Sequence, residues 1–229
     1  MGKRAAALDL DGVILDGMTY HITAWHEAFA PYDVTLNDRQ LYLLEGIKTR
    51  DVVDIVCAQA DLPLTADQRE DVAKAKKRVY TSIFRPTPLA GAAEFLRTLQ
   101  VHGYRTAIVT GTTRYAAEAT LSEMSMRSCV ELIISSELNI PGKPDPAPFL
   151  EAVRQLGVPK THCLAVDNAP AGVSSAVGAG LPCVAVATYL PKTDLTQADH
   201  VVANMKELTS WVDLEYESST GWGAWKISA

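Results

Sequence analysis

Two acids one residue apart, Asp9 and Asp11, close the apolar run Ala5-Ala6-Ala7-Leu8, and Gly12 follows directly. Carboxylates that can hold a hard cation or pass a proton thus stand beside backbone free to turn sharply. Other polar groups end apolar runs in the same way. Thr110-Gly111 follows Thr106-Ala107-Ile108-Val109, and Asp167-Asn168 follows Cys163-Leu164-Ala165-Val166. Lys143, in Pro141-Gly142-Lys143-Pro144-Asp145-Pro146, comes after the run at 130–134. Carboxylates from two such ends can share a divalent cation that prefers oxygen and keeps several waters, which describes Mg²⁺. That cation needs an anionic substrate to complete its shell. A hydroxyl, a backbone N–H and an ammonium beside it would hold a phosphoryl group and neutralise charge during its transfer.

These groups meet only if the runs are neighbouring strands with a common C-terminal edge. An apolar run without alternation suits a strand covered on both faces, and from residue 89 onward helical and strand patterns alternate. The expected fold is therefore α/β, a doubly wound parallel sheet of the Rossmann-like type, whose ligands bind in the crevice at that edge. Residues 17–85 break the alternation with helix-period spacing, for example Ile22, Trp25 and Phe29. They are expected to form an inserted helical cap domain on a core made of 1–16 and 86–229. Thr49 is expected to cap a helix, and Thr65 with Gln68 has capping-box spacing for the next. The basic residues at 74–78 read as a solvated face of that helix, and Arg85-Pro86-Thr87-Pro88 as a stiff return linker. A last helix is expected over 205–212. The tail from Glu215, with Trp222 and Trp225, shows no periodicity and receives no function.

The 229 residues, nearly half hydrophobic, can bury a full core. A net charge of -6 and the absence of a compact basic block argue against nucleic acid as a partner. Cys57, Cys129, Cys163 and Cys183 are dispersed without a CxxC pair, so free thiols are expected. Met1-Gly2-Lys3-Arg4 leads straight into the first strand, and no apolar run is long enough to span a bilayer. Gly2 is not followed by Ser or Thr at position 6, which is Ala6, so myristoylation is not expected either. The expectation is a cytoplasmic protein with no membrane partner, and oligomeric state is left open.

Asp9-Leu10-Asp11-Gly12-Val13, Thr110-Gly111, Lys143-Pro144-Asp145-Pro146 and Asp167-Asn168, in this order, resemble the four motifs of the haloacid dehalogenase superfamily. The likeness runs from Asp9 to about residue 208 and is nearest to the β-phosphoglucomutase and sugar-phosphate phosphatase branch. It implies that Asp9 is a nucleophile forming an aspartyl-phosphate and Asp11 the general acid and base. Thr110 and the Gly111 N–H would bind phosphoryl oxygens, with Lys143 balancing charge. Mg²⁺ would be held by Asp9, the Asp11 carbonyl and Asp167, with Asn168 beside them. His21, after the first motif, can tune Asp11 or the hinge, or can simply be a polar residue of a helix's first turn. Lys48, Arg50 and Arg114 are the remaining candidates for substrate contact; Arg114 can equally be solvated.

Three departures from the branch pattern stand out. Its hinge threonine falls on Gly17, and its cap-loop arginine on Thr49, between Lys48 and Arg50. The acid before the last motif's Asp is Val166 here, and the second Asp found elsewhere in the superfamily is Ala171. Asp167 is then the lone acid of its motif, and weaker Mg²⁺ binding is expected. The resemblance implies a Mg²⁺-dependent phosphatase acting on a small phosphorylated metabolite such as a sugar phosphate. A mutase, which would pass the group to a sugar hydroxyl, and a non-catalytic binding protein that keeps the fold stay open beside it.

Overall fold

The computed structural model describes residues 4–218. Six strands, β1 (Ala5–Leu8), β2 (Arg105–Val109), β3 (Leu132–Ile134), β4 (Cys163–Asp167), β5 (Cys183–Val186) and β6 (His200–Val202), form one sheet in the order β3-β2-β1-β4-β5-β6. Every pairing is parallel. The order reverses direction at β1, and a crevice for ligands opens at such a switch point. Register makes it specific: Leu8 pairs with Val166 and with Ile108. Asp9 and Asp167 therefore leave adjacent strands at the same level, with Thr110 at the neighbouring end.

Period-2 alternation divides the central strands between two apolar layers. Ala6, Leu8, Leu164 and Val166 pack with helices α5 (Ala92–Val101), α6 (Arg114–Glu123) and α9 (Met205–Ser218). Ala5, Ala7, Cys163 and Ala165 pack with α7 (Ala147–Leu156) and α8 (Pro170–Gly178). Burial on both faces is why these strands read as continuous apolar runs. Val166, fully buried in the first layer, faces away from Asp167.

Between β1 and β2 the chain makes α1 (Met18–Phe29), α2 (Asp38–Leu43), α3 (Thr49–Gln59) and α4 (Ala66–Ile83) around a cluster of their own that includes Ile22, Trp25, Phe29, Val53 and Val72. The outgoing and returning segments run side by side: Asp16 N–H donates to the Thr87 carbonyl (2.8 Å) and Leu89 N–H to that of Ile14 (2.9 Å).

Several boundaries differ from expectation. The run at 130–134 becomes strand only from Leu132, because residues 127–129 form a 3₁₀ turn that Val130 N–H closes onto the Arg127 carbonyl. Lys48, not Thr49, occupies the N-cap of α3, and no side chain caps it. The last helix continues to Ser218, since nothing in Asp213-Leu214-Glu215-Tyr216-Glu217 breaks a helix; Trp222 and Trp225 lie outside the described residues. All four cysteines are free thiols. No described helix is long and apolar enough to cross a membrane.

The capping box on α4 is present: Thr65 Oγ1 accepts from the Gln68 N–H (3.3 Å) and Gln68 Oε1 from the Thr65 N–H (2.9 Å). Thr65→Ala should lower the urea midpoint by the equivalent of about 1 kcal/mol. An unchanged midpoint would mean that this box does not hold the helix start.

Candidate active site

Lys143 Nζ donates to Asp9 Oδ1 and, at 2.7 Å, to Asp167 Oδ2, and all three residues are buried. The other Asp167 oxygen accepts the N–H groups of Asn168 (2.9 Å) and Ala169 (3.1 Å), where the chain enters α8. One turn into that helix is Gly172, where a Cβ would lie 2.0 Å from Asp167 Cγ. Only glycine lets the helix pass so close. Gly12, at φ +81°, serves Asn168 likewise: a Cβ there would lie 2.1 Å from Asn168 Nδ2. At Gly17, a Cβ would stand 2.1 Å from Asp11 Oδ1, so with Asp11 as placed a hinge threonine has no room.

At the end of β2, Thr110 is buried, its N–H donates to the Ile134 carbonyl (2.9 Å), and its Oγ1 accepts the Thr112 N–H at 3.2 Å. Gly111 is exposed, with open space where a side chain would be. The hydroxyl and the backbone N–H expected to hold an anion thus share one strand end beside β1.

His21 in α1 sets Nε2 3.6 Å from Asp11 Oδ1, and its Nδ1 meets Lys76 Nζ at 2.7 Å. An ammonium can only donate, so Nδ1 accepts and the proton of neutral His21 sits on Nε2, facing Asp11. Lys76 is buried against Trp25 and Tyr80, whose ring also stacks on His21 at 4.3 Å. Of the basic residues at 74–78, Lys74, Lys77 and Arg78 are exposed as expected, and Lys76 alone departs from the solvated face. Lys76 lies four residues from both Val72 and Tyr80, on the packed side of α4, and that spacing was the available signal.

Sequence reasoning also missed Glu45, just beyond α2. Its Oε2 accepts from Asn168 Nδ2 (2.7 Å), so the helical insert reaches across to the end of β4. Two further contacts join the insert to the loop after β5. Tyr42 stacks on Tyr189 (5.3 Å), whose hydroxyl donates to Asp16 Oδ1 (2.6 Å), and Arg39 forms a forked pair with Asp194 at 2.9 and 2.7 Å. Of the weaker candidates, Lys48 is exposed with its stem against Gly142. Arg50 is drawn to Glu70 (2.9 Å), and Arg114 Nη2 donates to the Ile133 carbonyl (2.9 Å).

Burial pushes Asp9 up to about 7 against the pull of Lys143. Burial works against the charge of Lys143 too, but the fields of Asp167 and Asp9 outweigh it and raise its pKa. Burial, with Lys76 adding to it, lowers His21, and burial brings Lys76 down to about 8. Glu45 is raised well above the carboxylate range by burial and by the charges of Asp9, Asp11 and Asp167.

The donor set fits a cation held by a few protein oxygens and several waters, as Mg²⁺ is. Buried Asp11 Oδ1 and Asn168 Oδ1 accept no hydrogen bond among the described residues, and Asp9 and Asp167 converge beside them. Among the described residues no three His, Cys, Asp or Glu side chains form a ready-made metal cage.

A family model described as haloacid dehalogenase-like hydrolase matches residues 3–180. The chain belongs to that family of hydrolases. It is similar to the fructose-1-phosphate phosphatase YqaB of Escherichia coli, 29% identical over an alignment of 191 residues, with 81% of this chain and 98% of the relative covered. It also resembles the β-phosphoglucomutase of Bacillus subtilis, 28% identical with 90% of this chain and 92% of the relative covered. Among solved structures, a hydrolase from Pseudomonas syringae superposes with a TM-score of 0.83 at 22% identity, over 93% of this chain and 99% of that one. A β-phosphoglucomutase from Clostridium difficile superposes at 0.81 and 21% identity, over 95% and 99%. The fold is therefore shared along essentially the whole chain.

Two measurements check this geometry. Nitrogen NMR should show His21 carrying its proton on Nε2. Lys76→Met should raise its pKa, by removing a nearby positive charge, and mix its tautomers; an unchanged titration would sever His21 from Lys76. Gly172→Ala should destabilise the protein by about 2 kcal/mol or more by overpacking, and a silent substitution would contradict the close helix approach to Asp167.

Proposed function

We propose that this chain is a Mg²⁺-dependent phosphatase hydrolysing a small phosphorylated metabolite, a sugar phosphate, through an aspartyl-phosphate on Asp9. The observation that carries this reading is the buried Lys143 joined to Asp9 and Asp167 at the sheet's switch point, with Asp11 and His21 alongside. Lys143 and its field favour the ionised Asp9 that a nucleophile must be, against the burial that raises its pKa. Asp9 attacks phosphorus in line, and the leaving alkoxide takes a proton from Asp11. Asp11, now a carboxylate, then accepts a proton from the water that attacks the aspartyl-phosphate, releasing inorganic phosphate and restoring both acids. The Thr110 hydroxyl and Gly111 N–H hold phosphoryl oxygens, and the Nε2–H of His21 keeps Asp11 oriented between its two roles. Bound Mg²⁺, on Asp9, the Asp11 carbonyl and Asp167 with Asn168 adjacent, would offset phosphoryl charge. The insert, residues 17–85, acts as a cap that excludes water while the first step proceeds. Val166, turned into the apolar layer, adds no ligand, so Mg²⁺ affinity stays modest. A cytoplasmic home belongs to the same reading.

A rival, mutase-type transfer to a sugar hydroxyl, draws on the likeness to the Bacillus subtilis enzyme and shares the first step. β-Glucose 1-phosphate supplied with its bisphosphate separates the two: free phosphate supports hydrolysis, glucose 6-phosphate the mutase. With fructose 1-phosphate, Asp9→Asn should cut phosphate release by about a thousandfold or more, and chelation should abolish it until Mg²⁺ returns. Turnover that survives either treatment would defeat the proposal, and no release across a panel of sugar phosphates would favour a binding protein.

A further inference from the structure

The loop after β5, residues 187–199, has no part in the chemistry above, yet it reaches three parts of the molecule at once. It is anchored in the core: Leu190 and Leu195 are buried, and Lys192 stands 3.5 Å from Glu207 of α9. Thr188 Oγ1 donates to the Gly12 carbonyl at 2.6 Å, in the turn that follows Asp11. The next residue holds the outgoing linker, since the Tyr189 hydroxyl donates to Asp16 Oδ1 at 2.6 Å. The Tyr189 ring itself lies nearly parallel to Tyr42, 12° between planes, and packs with the apolar cluster of the insert rather than with either layer of the core. Asp194, five residues on, accepts from Arg39 Nη2 with both oxygens, at 2.9 and 2.7 Å.

We infer that this loop is a strap that holds the insert down on the crevice, and that the grip of Asp194 on Arg39 and of Tyr189 on Tyr42 sets how often the crevice opens. The chain joins insert to core only through its two linkers, and units so joined move relative to one another unless side-chain contacts prevent it. Those contacts are concentrated on α2. Arg39, Tyr42 and Glu45 recur every three residues from that helix into the turn beyond it, so one side of a short segment faces the core. Leu41, buried in the cluster of the insert, ties the segment to the other helices. Pulling on α2 from the strap therefore pulls on the insert as a whole.

The two grips differ in kind. The Arg39 side chain is 59% exposed, so its ion pair is weak and salt screens it. The ring stack is apolar and half-buried, and salt leaves it in place. Closure is then partly electrostatic, and ionic strength shifts it through one pair remote from the reacting atoms. Opening of the insert is independent of what the site catalyses; only its consequence, the passage of substrate and product, rests on the phosphatase reading.

The test measures the opening itself. Spin labels on Gln59→Cys and Glu123→Cys, exposed positions of α3 and α6, would report the distance between insert and core by pulsed electron resonance, with Cys129→Ser removing the one partly exposed native thiol. Arg39→Gln should lower the ratio of short to long distances by about threefold, and Tyr42→Ala by about tenfold. Circular dichroism would confirm that both variants are folded. Sodium chloride at about 1 M should open the otherwise unaltered chain and leave Arg39→Gln unmoved. Arg39→Asp should open the insert further by facing Asp194 with a like charge, and adding Asp194→Arg should close it again. Distances that stay the same in Arg39→Asp and Tyr42→Ala, or an equal effect of salt with and without Arg39, would overturn the inference. Phosphate release is scored apart from these distances, so failure of the phosphatase reading and failure of the strap give different results.

Discussion

One buried ammonium holds this site together. Lys143 comes from the loop between β3 and α7, yet its charge lies between carboxylates at the ends of β1 and β4. An isolated charge buried this deeply would be strongly unfavourable, and two carboxylates without a cation between them would repel. Each group is tolerable only because the others are present. The three segments are thereby tied at one point, so the geometry of the crevice depends on an electrostatic balance rather than on apolar packing. Such a cluster adds little to net stability, but removing one member strands the rest, and that dependence fixes where the ends of the strands stand.

The surrounding backbone is shaped to let the carboxylates approach. Gly172 lets α8 pass close to Asp167, which accepts the Asn168 and Ala169 N–H groups just ahead of that helix, Gly12 leaves room for the Asn168 amide, and Gly17 leaves room for Asp11. On the insert, aromatic packing does the positioning instead. Trp25 and Tyr80 enclose Lys76, Lys76 fixes the tautomer of His21, and His21 faces Asp11. The core supplies the charged cluster, and the insert supplies the groups that face Asp11 and Asn168.

The sheet and the ends of its strands were legible because a parallel sheet buried on both faces writes itself as apolar runs, and the polar residues that stop those runs stand out. The register placing Asp9 beside Asp167 follows from that pattern. Lys76 and Glu45 were hidden for different reasons. Lys76 stands in a basic stretch whose composition suggests solvent, and only its spacing from Val72 and Tyr80 betrays the packed face. Glu45 lies in a short turn without periodicity, and its meaning comes from the docking of the insert on Asn168, which no local pattern encodes. Val166 was noticed for the acid it lacks; the alternation of β4 explains it, since its side chain belongs to the apolar layer. Arg50 and Arg114 show the converse, charges with the right chemistry that local partners, Glu70 and the Ile133 carbonyl, draw aside.

Hydrolysis by this route requires Asp9 to carry the phosphoryl group. Acetyl phosphate has a leaving group that needs no proton, so Asp11→Asn protein with Mg²⁺ should accept its phosphoryl group and fail to release it. After a rapid quench, borohydride reduction and peptide mass mapping should find Asp9 converted to homoserine. Phosphate release by the unaltered chain, with Asp9 unmodified under these conditions, would contradict a covalent role for Asp9.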